Sequence, residues 1–401
     1  MARSYAQYCC PVRVLVLSLT NHRGAFAAVR RLHEAGWIVS VGTSTPNGLV
    51  SWSRHTQDVF SVPRPELGYD GFLDAVAAAA KASRAEVVLP SDDADAVALS
   101  LGRDRISAIV PFAPHDALTR VVDKLSLMEA ARSAGLAATE TLPADESNLR
   151  SAVFPVVIKP RFHWLPDHPV GVPARIAATV CADYASAAAA AATMREQAAE
   201  PLVQRWVSDD LVSVHLVADG AAVMSLTQQH SPPMFFPPGA GVRVRSTVVP
   251  TDPDLEAGIR RLIADIGWYG MAGLQFLRED DGIHPLIDFN GRIPASVEAV
   301  AGAGPNYVAA WAAMATGRPP HPLPSARLGT RCQWLEGDLR RALKERRGGV
   351  VRDVAGCLVY SIGATHTVLK RDEPYAVLRY TLAQLREAQR HRSARRSRRR
   401  Q

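Results

Sequence analysis

The stretch Gly273-Leu-Gln-Phe-Leu-Arg-Glu-Asp-Asp-Gly-Ile-His-Pro-Leu-Ile-Asp-Phe-Asn-Gly-Arg292 reads as two short strands around a turn at Arg278–Gly282. Strand side chains alternate between faces, so Asp288 and Asn290 point the same way, roughly 6.6 Å apart along the chain. Gln275, on the facing strand, can reach the same surface. Three oxygen donors of the hard-ligand type, Gln275, Asp288 and Asn290, thus converge. Such a set suits Mg²⁺, with Mn²⁺ as a substitute, held jointly with phosphates rather than in a complete protein cage. Arg292 lies two residues further on, where its fork of donors could reach a phosphoryl group. Taken alone, the pattern also fits polar residues on the wet face of an edge hairpin, and Pro285 fits an edge strand.

Toward the N-terminus the periodicity changes. Val12–Leu19 is a β-branched apolar run. Phe26, Val29, Leu32 and His33 then fall on one side of a helix that ends at Gly36. Trp37–Val41 and Val87–Leu89 read as strands and Phe72–Ala82 as a helix. Strand and helix alternating over short connections predict a parallel α/β lobe from residue 12 to about 113. The turn after the first strand, Ser18-Leu-Thr-Asn-His-Arg-Gly24, lacks the GxGxxG spacing, which argues against a dinucleotide site.

Between that lobe and the opening hairpin, Asp123–Ala134 reads as a helix closed by Gly135. Val153–Lys159 is a strand stopped by Pro160, Ala182–Ala199 a helix and Leu202–Val207 a strand. Val212–Val217 and Ala221–Thr227 form a hairpin around the Asp219-Gly220 turn. Asp254–Ile266 is a helix, as is Asn306–Thr316, closed by Gly317. After the Pro-rich connection Pro319–Pro324, a last module from about Arg327 to Ala388 is expected to hold a helix (Leu335–Glu345) and a strand (Cys357–Ile362).

Composition narrows the function classes. The chain has 401 residues, 47% apolar and 21% charged, an ordinary balance for packed lobes. Its net charge of +7 resides entirely in Arg386–Gln401, where eight Arg face one Glu. The body is therefore neutral. The tail from Gln389 reads as disordered, and a nucleic-acid role is confined to weak contacts by that tail. Cys9, Cys10, Cys181, Cys332 and Cys357 make no CxxC pair, which argues against structural zinc and for a reducing, cytoplasmic setting. No apolar stretch is long enough for a membrane span. Of 46 basic residues only Lys81, Lys124, Lys159, Lys344 and Lys370 are Lys. In a chain that uses Arg by default, a Lys at a suggestive place is informative.

Four segments in chain order resemble the ATP-grasp enzymes. Asp123-Lys124-Leu-Ser-Leu-Met-Glu-Ala-Ala-Arg-Ser-Ala-Gly-Leu resembles that family's "DK…A…G" helix, whose Lys contacts ATP phosphates. Pro155-Val-Val-Ile-Lys159-Pro resembles its strand whose Lys bridges phosphate and adenine. Leu202-Val-Gln204-Arg205-Trp206-Val207 is similar to the hinge strand that supplies backbone hydrogen bonds to adenine, and Asp210 sits near the usual ribose-binding acid. Asp288-Phe-Asn290-Gly-Arg292 resembles the Glu-x-Asn-Pro-Arg end of the metal hairpin, with Asp for Glu and Gly for Pro. Gln275 stands where most members carry Glu, as it does in the large subunit of carbamoyl phosphate synthetase. The match covers roughly residues 115–317.

The resemblance implies an α/β chain, α+β in its central lobes. It would comprise an N-terminal Rossmann-like lobe (1–114), an ATP-grasp domain (115–320, divided at 200/201), a small C-terminal module (321–388) and an Arg-rich tail (389–401). It implies a cytoplasmic ligase that uses ATP and Mg²⁺ to activate a small carboxylate as an acyl phosphate for an amine, with Arg292 and Arg245 steadying that intermediate. Two departures stand out. Arg161–Gly171 is poor in glycine where a Gly-rich lid is usual, and Phe235–Arg245 occupies the place of a substrate loop. A catalytically weak ATP-binding scaffold, or a kinase of the same fold, therefore remains an alternative. Oligomeric state is open.

Overall fold

The computed structural model describes residues 12–20, 22–172, 176–237, 242–279, 282–319, 322–384 and 386. The Arg-rich tail, Cys9, Cys10 and the Gly239–Gly241 part of the substrate loop lie outside them. The N-terminal lobe runs β1 (Arg13–Ser18), α1 (His22–Glu34), β2 (Ile38–Thr43), β3 (Thr56–Ser61), α2 (Tyr69–Ser83), β4 (Val87–Leu89) and α3 (Asp93–Leu101). Its strands are parallel in the order β3-β2-β1-β4. The central strand β1 is almost wholly buried, as expected where helices cover both faces of a parallel sheet. Strand β3 is the exposed edge, and its sequence TQDVFS has no apolar alternation to announce it. Helix α3 is started by a capping box, with Asp92 accepting from the backbone and Asp95 reaching back to it.

Helices α4 (His115–Val122) and α5 (Lys124–Ser133) lead into a second sheet. It is built from β5 (Thr141–Pro143), β6 (Val156–Pro160), β7 (Thr179–Cys181) and β8 (Pro201–Arg205), with α6 (Glu146–Ser151) and α7 (Tyr184–Glu196) between strands. The order is β5-β8-β6-β7, all antiparallel. This sheet has its own small core, in which Val156, Ile158 and Val203 from one sheet face meet Ala187, Ala191 and Met194 of α7.

The third sheet is the largest. Its strands are β9 (Leu211–Asp219), β10 (Val223–Ser231), β13 (Arg245–Val248), β14 (Tyr269–Leu277), β15 (Leu286–Asn290), β16 (Arg331–Gln333) and β17 (Thr365–His366), while β11 (Phe235–Phe236) and β12 (Val242–Arg243) form a separate pair. The order is β15-β14-β9-β10-β13-β16-β17. The expected hairpin β9–β10 turns at Gly220 with a φ of +97°, a conformation that glycine adopts without strain. Helices α8 (Pro253–Ile266), α9 (Val297–Ala303) and α10 (Tyr307–Ala315) pack against this sheet, followed by α11 (Leu335–Glu345) and α12 (Val350–Ser361). One continuous core joins it to the N-terminal lobe. Trp311 of α10 donates its indole N–H to Pro111 O at 2.8 Å, and its ring meets Phe112 edge-on. No helix among the described residues is long and apolar enough to cross a membrane.

One expected element is corrected. Cys357–Ile362 is not a strand but the end of helix α12. Asp353 and Cys357, four residues apart, are buried, while Leu358, Val359 and Ile362 are exposed. That is a helical period, set by Asp353 turning inward to Arg341, and a short apolar run cannot announce it. Strands β16 and β17 extend the large sheet, so the chain after Pro324 adds to its far edge.

Candidate functional site

The register of the opening hairpin places Gln275 directly opposite Asp288 and Gly273 opposite Asn290. On the other side of β14, Gln275 faces Ser213 and Gly273 faces His215. Two polar rows therefore cross three strands on one sheet face. Gly273 is required by space, because a Cβ there would sit 2.9 Å from His215 Nδ1. Asn290 is buried; its Nδ2 donates to Gly273 O at 3.2 Å and its Oδ1 accepts from Arg292 Nη2 at 2.5 Å. Arg292, buried in turn, donates Nε and Nη2 to the two carboxylate oxygens of Asp93, both at 3.2 Å. Burial works to raise the Asp93 carboxyl, but Arg292, helped by His163 and Lys124, outweighs it and holds the group below its usual range.

The facing wall comes from the four-stranded sheet. Between Gln275 and Phe276 the β14–β15 register slips, making Ile287 an extra residue on β15. The Ile287 carbonyl accepts from Lys159 Nζ at 3.0 Å. Lys159 is buried, and burial together with Lys124, partly offset by Asp288, pushes its ammonium down to about 7. Lys124 opens α5 just after the N-cap Asp123, which also takes Arg161 through both carboxylate oxygens at 2.9 and 2.6 Å. Asp93, Lys124, His163, Trp164, Asp288 and Phe289 thus enclose a chamber of about 10 Å³, room for roughly one water. The glycine-poor segment after Lys159 closes it on one side. It docks on the N-terminal lobe through buried Trp164 beside Tyr69 and through Gly171 N donating to Glu66 O at 2.9 Å.

The remaining sequence candidates are distributed unevenly. Gln204 lies on the Lys159 face of its sheet, and its Nε2 donates to Thr141 Oγ1 at 2.8 Å. Arg205 ends β8 in an ion pair with Glu279, and Trp206 and Val207 follow beyond the ladder, half-buried. Asp210 Oδ1 meets His230 Nε2 at 2.5 Å. Arg245 does not join Arg292, which corrects the expectation that the two act together. It sits on β13, four strands from β15 and so about 20 Å away. Its register puts it on the opposite sheet face, where its Nε donates to Asp338 at 2.5 Å.

Three neighbours of the site escaped the sequence reading. His215 Nε2 pairs with Ser296 Oγ at 3.1 Å, and burial with the nearby Arg292 cation pushes the imidazole down to about 4, so it is neutral. The available signal was Ser213 and His215 sharing one face of an otherwise apolar strand. Asp93 and His163 come from loops and helix starts that only the fold brings together. Among the described residues no three His, Cys, Asp or Glu side chains converge as a metal cage. A cation here would rest on one carboxylate, Asp288, with amide oxygens and its own phosphate partners.

No protein-family model and no curated protein sequence matches this chain. Solved structures do. The biotin carboxylase domain of Hydrogenobacter thermophilus 2-oxoglutarate carboxylase, determined with MgADP, ADP and bicarbonate, aligns with a TM-score of 0.59 at 14% identity, covering 80% of this chain and 73% of that one. The L-amino acid ligase of Bacillus licheniformis aligns at 0.59 and 11% identity over 76% and 74% of the two chains. The N5-carboxyaminoimidazole synthetase of Staphylococcus aureus aligns at 0.57 and 13% identity over 80% of each. Backbone similarity over three quarters or more of the chain, for a parallel α/β lobe followed by two further sheets, shows the ATP-grasp fold.

Proposed function

We propose that this chain is an ATP- and Mg²⁺-dependent ligase that activates a small carboxylate as an acyl phosphate and passes the acyl group to an amine. One observation carries the reading. Two of the chain's five lysines, Lys124 and Lys159, come from different elements to face Asp288 of the polar row. A dense cluster of cations beside a half-buried carboxylate is the charge arrangement a triphosphate needs. Lys159, poised near neutrality, regains its proton when phosphate charge arrives. Asp288, with Gln275 and the Asn290 amide oxygen, fits Mg²⁺ shared with the phosphates, and the ion would supply further charge neutralisation there. Gln204 to Val207 and Asp210 are the candidate nucleoside contacts.

In the proposed reaction a substrate carboxylate oxygen attacks the γ-phosphorus in line. The bond to the β–γ bridging oxygen breaks and ADP leaves. An amine then attacks the acyl carbon, loses a proton and expels phosphate, leaving an amide. Arg292 is the donor placed to hold the acyl phosphate, after exchanging Asp93 for that anion. The chain needs no side-chain nucleophile. The division at residues 114, 200 and 320 and a cytoplasmic setting belong to the same proposal, as do soluble carboxylate and amine partners. The MgADP in the similar Hydrogenobacter thermophilus structure supports the nucleotide part.

A second reading rests on a specific feature: Arg292 is committed to Asp93 and the metal row carries a neutral Gln275, as suits an ATP-binding regulator. ADP release measured with ATP, Mg²⁺ and pools of small carboxylic acids, with and without amines, separates the two. Release that needs both an acid and an amine supports the ligase. Nucleotide binding without stimulated release by any pool supports the regulator.

A further inference from the structure

A second cavity, of about 650 Å³, opens between α1, α9 and the segment from Ser361 to Arg371. It is far roomier than the chamber lined by Lys124 and Asp288, and the two share no lining residue. Ser296, just before α9, turns to His215 on the chamber side. Glu298, Ala301 and Gly302, spaced i, i+3 and i+4, line the cavity on the other.

Its charge is one-sided. Arg31, Arg327, Lys370 and Arg371 line it against a single carboxylate, Glu298. Glu298 is fully buried, and its Oε1 takes both Arg31 Nη2 at 2.6 Å and Lys370 Nζ at 2.5 Å. Its Oε2 has no hydrogen-bond partner among the described residues. Glu34 bonds Arg31 from outside the lining. Arg327 gives one donor to Gly302 O at 2.7 Å and has no ion pair, and Arg371 has none either among the described residues. His366 adds a buried Nδ1 with no hydrogen-bond partner among the described residues. Burial and the Lys370 cation hold its imidazole below the usual range, against the backbone of Ser361 and Gln333, which pulls the other way.

The frame is built closely. A Cβ on Gly302 would fall 2.5 Å from Thr365 Oγ1, so only glycine lets α9 lie against β17 here. Gly363 turns the neighbouring chain with a φ of +71°, open to glycine at no cost. Two exposed guanidiniums with no ion pair among the described residues, Arg327 and Arg371, thus stand with the fixed Arg31–Glu298–Lys370 cluster around one concavity. Arginine forks pair best with planar or tetrahedral oxyanions that accept two hydrogen bonds at once. A monocarboxylate would leave most of this charge unanswered. We infer that this cavity is a second ligand site, distinct from the nucleotide chamber, for a small molecule with a dianionic head such as a phosphomonoester; the exposed Arg327 and Arg371 grip the head, and the buried Arg31–Glu298–Lys370 cluster fixes the wall behind it.

Calorimetric titration of the full chain without nucleotide tests this, using inorganic phosphate and phenyl phosphate as probes. The comparison set is Arg327→Ala/Arg371→Ala, the chamber variant Lys159→Met, and Arg132→Ala/Arg352→Ala, which removes the same charge from exposed positions elsewhere. The expected result is anion binding that survives Lys159→Met and the distant pair but weakens by about tenfold for each guanidinium lost from the cavity. Tighter binding of phenyl phosphate supports a phosphomonoester, and equal binding supports the same site with free phosphate as its ligand. Binding abolished by Lys159→Met and untouched by Arg327→Ala/Arg371→Ala overturns the proposal, as does the absence of binding to the unaltered chain at millimolar probe.

Discussion

The two ends of the seven-stranded sheet each hold an arginine on an aspartate, yet they are wired differently. At the β16 end Arg245 meets Asp338, which also accepts from Gln333 at 2.7 Å and from Arg341 at 3.0 Å. Arg341 is fully buried and reaches Asp353 through two bonds, at 3.1 and 2.7 Å, and Glu345 at 3.1 Å. Charge there is matched internally. At the β15 end Arg292 meets Asp93, but Lys124 and Asp288 line a chamber without an ion pair among the described residues, and Lys159 beside them donates only to the Ile287 carbonyl. Matched buried charge holds a fold in one arrangement, whereas under-matched charge is available to a ligand. An arginine near a glycine-containing loop is thus not a site by position alone; what remains unpaired around it decides.

Four measurements test that contrast. The largest effect is expected at the matched end: Asp338→Ala leaves Arg245 and Arg341 without their shared partner inside the fold and should cost about 3–5 kcal/mol in urea unfolding. A loss below about 1 kcal/mol would show that this network is not structural. At the open end, Asp288→Asn should lower ATP-dependent ADP release by about a hundredfold to a thousandfold with the circular dichroism unchanged. Unaltered release would remove Asp288 from the chemistry.

Substituting the two arginines sharpens the comparison. Arg292→Lys exchanges a two-pronged donor for a point charge at the chamber and should slow release by roughly tenfold. Arg245→Lys should change release by less than about twofold and register instead as lost stability. If the two variants slow release equally, the division between the ends fails.

The smallest effect concerns pH. The folded chain holds Lys159 at about 7 against 10.5 when unfolded, so it binds fewer protons than the unfolded chain between those values. That term makes the ligand-free chain gain stability as pH rises through this window. Phosphate binding recharges Lys159, so nucleotide affinity should fall above pH 7 by up to about tenfold per pH unit. The slope should disappear in Lys159→Met, and titrations in buffers of different ionisation enthalpy read the proton uptake directly. A slope that survives the substitution would assign the proton to another group.

Much of this was legible before any coordinates. Two-residue alternation in Leu286–Asn290 set Asp288 and Asn290 on one face, the Asp-Gly turn announced β9–β10, and Gly36, Gly135 and Gly317 close their helices with positive φ. These are local signals, governed by periods of 2.0 and 3.6 and by where only glycine fits. Rarity made Lys124 and Lys159 conspicuous in an arginine-writing chain. Local rules failed where a neighbour supplied the deciding contact: α12 is a helix because Asp353 finds Arg341, and Arg245 faces away because of its register on β13. Sequence by itself determined most element types, the alternation that makes the parallel lobe and the shared face of Asp288 and Asn290, since each depends on contacts within a few residues. Tertiary structure alone decided that Asp93 takes Arg292 from 199 residues away, that Lys159 loses basicity through burial and the nearby Lys124, and that His215 joins the polar row. Those outcomes depend on burial and on charges brought together from distant segments, and neither is encoded in spacing along the chain.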